Sequence, residues 1–93
     1  MKNQCYIVSE NTVWKEINGE VYILDAEHEE ILSLNETASY IWKMLTDRQP
    51  TNRIEEKISE IYDISHDQAV KDIQEIIKTY KLKGLLKVGK SKK

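Results

Sequence analysis

At Asn35 the hydrophobic period of the chain changes from two residues to about 3.6, and this switch restricts the fold more than any other feature. Before it, Val13-Trp14-Lys15-Glu16-Ile17 alternates, with Val13 and Ile17 on one face and Lys15 between them. Asn18-Gly19 follows, a hairpin signal, because both central residues of a type I′ turn need positive φ. Glu20 to Asp25 then puts Val21 and Ile23 on one face, Tyr22 and Leu24 on the other. A polar turn, Ala26-Glu27-His28-Glu29, leads into Glu30-Ile31-Leu32-Ser33-Leu34. This pattern predicts a three-stranded meander, with Tyr6-Ile7-Val8 as a short lead-in strand.

After the switch, Asn35 is placed to cap a helix. Ala38, Ile41, Trp42 and Leu45 form its apolar stripe at i, i+3, i+4 and i+7. Gln49-Pro50 ends it. Thr51 is expected to cap a second helix with the stripe Ile54, Ile58, Ile61 and Tyr62. Ser65-His66-Asp67-Gln68 has capping-box spacing, with the Gln68 side chain expected to reach back to the Ser65 backbone. The third helix carries Ala69, Val70, Ile73, Ile76, Ile77 and Tyr80, and Lys83-Gly84 stops it with Gly84 left-handed. Leu85-Leu86-Lys87-Val88 is expected to return onto the core. Three strands followed by three helices is a segregated α+β pattern. The expected fold is a three-stranded antiparallel sheet followed by a three-helix winged helix-turn-helix unit. It forms one domain over residues 1–88, with 89–93 as a disordered basic tail.

A chain of 93 residues buries only about 60–65% of the surface its unfolded form exposes, which leaves little room for a deep catalytic cavity. With 14 Lys+Arg against 16 Asp+Glu the net charge is −2, which argues against a general nucleic-acid binder. The charge is uneven: residues 1–50 hold 4 basic and 9 acidic side chains, residues 51–93 hold 10 and 7. The late lysines suit the end of a helix and a solvated tail. A single cysteine, Cys5, excludes an internal disulfide framework and fits a reducing compartment. No apolar run approaches a membrane span, and the N-terminus lacks a signal-peptide stretch, so the expected location is cytoplasmic, away from membranes.

Little in the chain could carry chemistry. Cys5 lies near a terminus and, with His28 and His66, matches no metal-ligand spacing. Glycines 19, 84 and 89 belong to turns or the tail and form no phosphate loop. Glu29-Glu30 and Glu55-Glu56 read as solvated carboxylates. Neither catalytic residues, nor a cofactor, nor a metal is expected.

Two features point to binding. The third strand is last in the meander, so one edge is free to accept an extended peptide. The third helix is apolar over an arc wider than one packing seam. The extra breadth either packs on Leu85, Leu86 and Val88 or walls a groove beside the strand edge, and broad stripes more often belong to cores.

Val13-Trp14, Val21-Tyr22-Ile23-Leu24-Asp25, Leu32-Ser33-Leu34-Asn35-Glu36-Thr37-Ala38, Ile41-Trp42, Asp72-Ile73 and Lys83-Gly84-Leu85-Leu86 form an ordered series. In order and spacing it resembles the PqqD-like family, peptide chaperones also called RiPP recognition elements. The stretch from Leu34 to Trp42 is its most specific part, and the resemblance spans residues 8 to 88. It implies a peptide-binding domain that takes up the leader of a ribosomally made precursor as an added strand. Carried onto this chain, the strand edge is Glu29, Glu30, Ile31, Leu32, Ser33 and Leu34. The helical wall, placed by helical spacing, is Val70, Ile73, Gln74, Ile77, Lys78 and Lys81. Leu34, Ala38, Ile41 and Trp42 also read as core, and Asn35 as a cap.

Many family domains are fused to a modifying enzyme. This chain resembles the free-standing form of pyrroloquinoline-quinone and lasso-peptide pathways, and more the lasso type. The implied partners are a precursor leader peptide and a separate leader peptidase, cyclase or radical enzyme. A second copy pairing through the strand edge is a further partner. The alternative reading is a DNA-binding winged-helix regulator with the third helix in the major groove. The aspartates in the first half of that helix would then face phosphates.

Overall fold

The computed structural model describes residues 4–10 and 12–89. β1 (Cys5–Val8) is followed by β2 (Val13–Ile17), β3 (Glu20–Asp25) and β4 (Glu30–Ser33). Then come α1 (Glu36–Thr46), α2 (Thr51–Ile61), α3 (His66–Leu82) and β5 (Leu86–Gly89). The fold is α+β, with three helices and a three-stranded antiparallel sheet in the order β2-β3-β4.

The meander forms as its alternation predicts. Asn18 (φ 52°) and Gly19 (φ 84°) supply the two positive φ angles of the first turn. Val21 and Ile23 are fully buried, whereas Leu24 on the other face is largely exposed. Val21 to α1 is a junction that sequence pattern does not reveal. The buried Ser39 hydroxyl accepts from Val21 N–H (2.9 Å) and donates to the Leu34 carbonyl (3.1 Å), so it is spliced into the end of the β3–β4 ladder. Asn35 caps α1 as expected, its Oδ1 accepting from Ala38 N–H at 2.8 Å.

The core lies between sheet and helices. Trp42 is buried between Trp14 and Tyr80, edge-on to both, with ring centroids 6.3 and 5.5 Å away. Ile41, Leu45, Ile54, Ile58, Ala69 and Ile73 fill the rest without exposure. Truncating one of the larger of these to alanine costs about 2–5 kcal/mol.

Five expectations need correction. Thr51 is the first residue of α2, and Pro50 is its N-cap with no side-chain bond. The Thr51 hydroxyl instead accepts from Gln4 N–H (3.1 Å), tethering the segment before β1. Ser65 caps α3 by accepting from Gln68 N–H, but the Gln68 amide turns forward to Asp72 (2.8 Å), so only half of the capping box forms. Ile61 is more than half exposed, and Glu55 is buried on α2 instead. Finally, Leu85 and Leu86 are buried as expected, but the return is a strand: β5 pairs antiparallel with β1 in a second sheet. Gly89, assigned to a disordered tail, closes that pairing opposite Cys5. A Cβ there would stand 2.6 Å from Ile7 Cγ2, so a larger residue forces Ile7 aside. The rest of that tail lies outside the described residues.

Candidate functional site

Among the described residues β4 ends the sheet, and one of its edges has no strand partner. Its backbone groups can be assigned to one edge or the other. Leu34 N–H donates to the Val21 carbonyl at 2.9 Å, which makes Val21 and Leu34 a hydrogen-bonded pair. Antiparallel pairs alternate, so Ile23–Leu32 and Asp25–Glu30 are hydrogen-bonded, and Leu24–Ile31 and Tyr22–Ser33 are not. The N–H and C=O groups of Ile31 and Ser33 therefore point out of the sheet.

α3 runs past this edge in the opposite direction. Lys83, the residue after α3, holds Glu30 at the start of β4 with Nζ to Oε1 at 2.7 Å. At the other end of β4 an open hollow of about 330 Å³ is lined by Asn35, Thr37, Ala38, Asp72, Glu75 and Ile76. From Asp72 to Lys83 the helical rise is about 16 Å, and from Glu30 to Asn35 an extended chain covers the same distance. Asp72, Ile76 and Lys83 thus form the flank of α3 that accompanies β4. Leu32 and Ile76 are half-buried at the margin of the core and give this strip its apolar floor.

The start of β4 is set by charge. Asp25, nearly buried, accepts from the backbone N–H of His28 at 3.3 Å and pairs through its other oxygen with His28 Nδ1 at 2.7 Å. Burial raises the Asp25 pKa, but the bonds from His28 and the charges of His28 and Lys83 outweigh it, so the carboxyl titrates below its ordinary range. Lys83 is pushed up, chiefly by its hydrogen bond to Glu30. These contacts brace the turn in which Glu29 adopts a positive φ of 52°.

The expected strand residues lie along one edge, with only Ile31 and Ser33 directing backbone groups outward, and the expected helical residues lie elsewhere on α3 than the flank of Asp72, Ile76 and Lys83. Ile73 is fully buried core and offers no surface. Gln74, Ile77, Lys78 and Lys81 line a hollow of about 400 Å³ with Gln4, Tyr6, Thr51 and Leu82, on the flank of α3 turned away from β4. Val70 is half-buried and, 60° from Ile73 towards this same side, belongs with that flank. The reason is geometric. Periodicity tells which residues share a helix face, and the contact that decides which flank meets β4, Lys83 with Glu30, spans 53 residues of sequence. Asp72, Glu75, Ile76 and Lys83 were missed as neighbours of the edge. The only signal was the breadth of the apolar arc, which includes Ile76.

The sequence matches the family described as coenzyme PQQ synthesis protein D (PqqD) over residues 20–86, from β3 to the first residue of β5. The chain belongs to the PqqD family. Two solved structures share the fold of this PqqD-family chain. "TbiB1 in Complex with the TbiA(beta) Leader Peptide" superposes with a TM-score of 0.80 at 22% identity, covering 87% of this chain and 94% of that one. "Lasso peptide synthetase B1 complexed with the leader peptide" gives 0.80 at 20% identity, covering 88% and 96%. No curated protein matches in sequence. Among the described residues, no group of three or more His, Cys, Asp or Glu side chains could hold a metal ion, and no helix is long and apolar enough to cross a membrane.

Proposed function

We propose that this protein binds the leader of a ribosomally made precursor peptide as an added strand on β4 and presents it to separate enzymes, with no catalysis of its own. The observation that carries this is the β4 edge left unpaired among the described residues, with the outward N–H and C=O groups of Ile31 and Ser33, and one flank of α3 at its two ends: Lys83 on Glu30, and Asp72 and Ile76 in the hollow with Asn35. An extended peptide laid there gains main-chain hydrogen bonds from β4 and side-chain contacts from Leu32, Ile76 and the Asp72–Glu75 hollow. Both structural neighbours were solved with leader peptides, and one is named a lasso peptide synthetase component, which supports a lasso-type pathway. The enzymes served would be a leader peptidase and a cyclase, or a radical enzyme in other peptide pathways.

We read the three helices beside the sheet as a helix-turn-helix-like unit that is winged in the broad sense. We do not adopt DNA binding, because Asp67 and Asp72 lie in the half of α3 that would approach phosphates.

The test is titration of a labelled leader from the neighbouring precursor gene, with amide shifts followed by NMR. We expect a dissociation constant of roughly micromolar or tighter, about −8 kcal/mol, and shifts that centre on residues 29–34. Absence of binding at tens of micromolar, or shifts confined to another surface, overturns the proposal.

A further inference from the structure

The outer face of the sheet carries an apolar row that no described element covers. Val13 stands opposite Leu24, and Leu24 opposite Ile31, in one line across the three strands. They are 60%, 44% and 70% exposed. Ile31 ends the row on the edge strand, and its own N–H and C=O point out of the sheet. A strand added antiparallel to β4 therefore places one residue in a hydrogen-bonded pair with Ile31. Paired residues carry their side chains on the same face, with Cα atoms about 5.5 Å apart. That side chain becomes the fourth member of the row, and in a parallel strand the residue between the two that bond Ile31 takes the same place.

From this register we infer that the peptide bound at β4 carries a large apolar side chain opposite Ile31, and that Ile31 selects for it from the outer face of the sheet. The inference rests on the strand-addition reading above. An apolar partner buries surface that Ile31 otherwise presents to water. A charged partner would lose hydration against that side chain and gain no counter-charge from it. β-branched and aromatic residues suit the position best, since they pack well across paired strands.

Selection of displayed random peptides long enough to span β4 tests this without knowledge of the natural leader. Three folded proteins serve as bait: wild type, Ile31→Glu, and Ser33→Pro, in which one outward donor is removed. Circular dichroism checks each fold, and Ile31→Thr replaces Ile31→Glu if the latter unfolds. Wild type is expected to enrich peptides with fixed apolar positions, one of which answers to Ile31. Ile31→Glu should enrich Lys or Arg at that position and bind the wild-type consensus peptide at least about tenfold more weakly, and Ile31→Thr should relax the preference. The same consensus and the same affinity with and without Ile31 would overturn the inference while leaving strand addition standing. Peptides that bind Ser33→Pro as well as wild type, or no enrichment at all, would overturn strand addition and the inference with it.

Discussion

At the scale of single residues, the two edges of β4 can be separated by proline. Leu32 gives its N–H to the β3 ladder, so Leu32→Pro breaks a bond that holds the sheet and also removes a side chain packed on the core. Ser33 directs its N–H outward, so Ser33→Pro leaves the β3 pairing intact and puts a ring in the path of an added strand. We expect Leu32→Pro to lower the urea midpoint sharply, and Ser33→Pro to keep its far-ultraviolet spectrum while binding leader at least about tenfold more weakly. Equal effects from the two prolines would mean that the outward register is wrong. Asp25 makes a second prediction at this scale. Its folded pKa lies below the ordinary 3.8, so the ionised carboxylate stabilises the fold above pH 3.8, and that contribution is lost as pH falls through the folded value. Lys83, with its pKa raised above 10.5, contributes below pH 10.5 and loses that contribution only as pH rises through its folded value. Asp25 and Lys83 therefore keep their charges throughout the neutral range. Carbon-13 titration of the Asp25 carboxyl should give a midpoint under 3.8, and Asp25→Asn should remove part of the acid-induced loss of stability. A midpoint above 3.8 would contradict the assigned pairing with His28.

At the scale of elements, α3 has two flanks with different neighbours. Ile76 lines the hollow with Asn35 and Ala38, just beyond the end of β4, and Lys78 and Lys81 face the hollow with Gln4 and Tyr6. Ile76→Asp puts a charge into the strip beside β4, next to Asp72 and Glu75, and leader affinity should fall about tenfold or more with the helix content unchanged. Lys78→Glu and Lys81→Glu should leave it within about twofold, since each acts across the width of the helix and through solvent. Fluorescence anisotropy of a labelled leader measures all three. A loss with the lysine variants and none with Ile76→Asp would move the groove to the other flank. The contrast also shows how far the sequence could be read. The three helices, the β2–β3–β4 meander and the Asn35, Ser65 and Gly84 boundaries are local, and each follows from patterns within a few residues. The pairing of β1 with β5 joins two four-residue segments from opposite ends of the chain, neither with a full alternation of its own. The rotation of α3 about its axis is likewise set by packing with distant elements, with Ile73 and Tyr80 in the core and Lys83 beside Glu30, so the free strand edge was legible in the sequence and the side of α3 nearest to it was not.

At the scale of the whole molecule, an edge open to a peptide is also open to a second copy of the same chain, and magnitudes decide between them. Two β4 edges paired about a two-fold axis can use only the outward groups of Ile31 and Ser33 from each copy, at most about four hydrogen bonds. At roughly 0.5–1.5 kcal/mol net each, these bring about 2–6 kcal/mol. Association costs about 4–15 kcal/mol in lost freedom of motion, so backbone pairing alone does not hold a dimer at micromolar concentration. A leader meets the same backbone groups and therefore draws most of its affinity from side chains, those reaching Leu32, Ile76 and the hollow on the inner side and Ile31 on the outer. Self-pairing has none of these inner contacts to offer, because Glu29 and Glu30 of each copy would be brought towards the acidic flank of the other. We expect the protein to sediment as a monomer at tens of micromolar and to take up one leader per chain without change in copy number. A dimer that persists at saturating leader would show that the β4 edge is used for self-association and that the peptide binds elsewhere. A dimer that the leader dissolves would place both partners on the same edge, and the side-chain contribution to self-pairing would then be larger than this estimate.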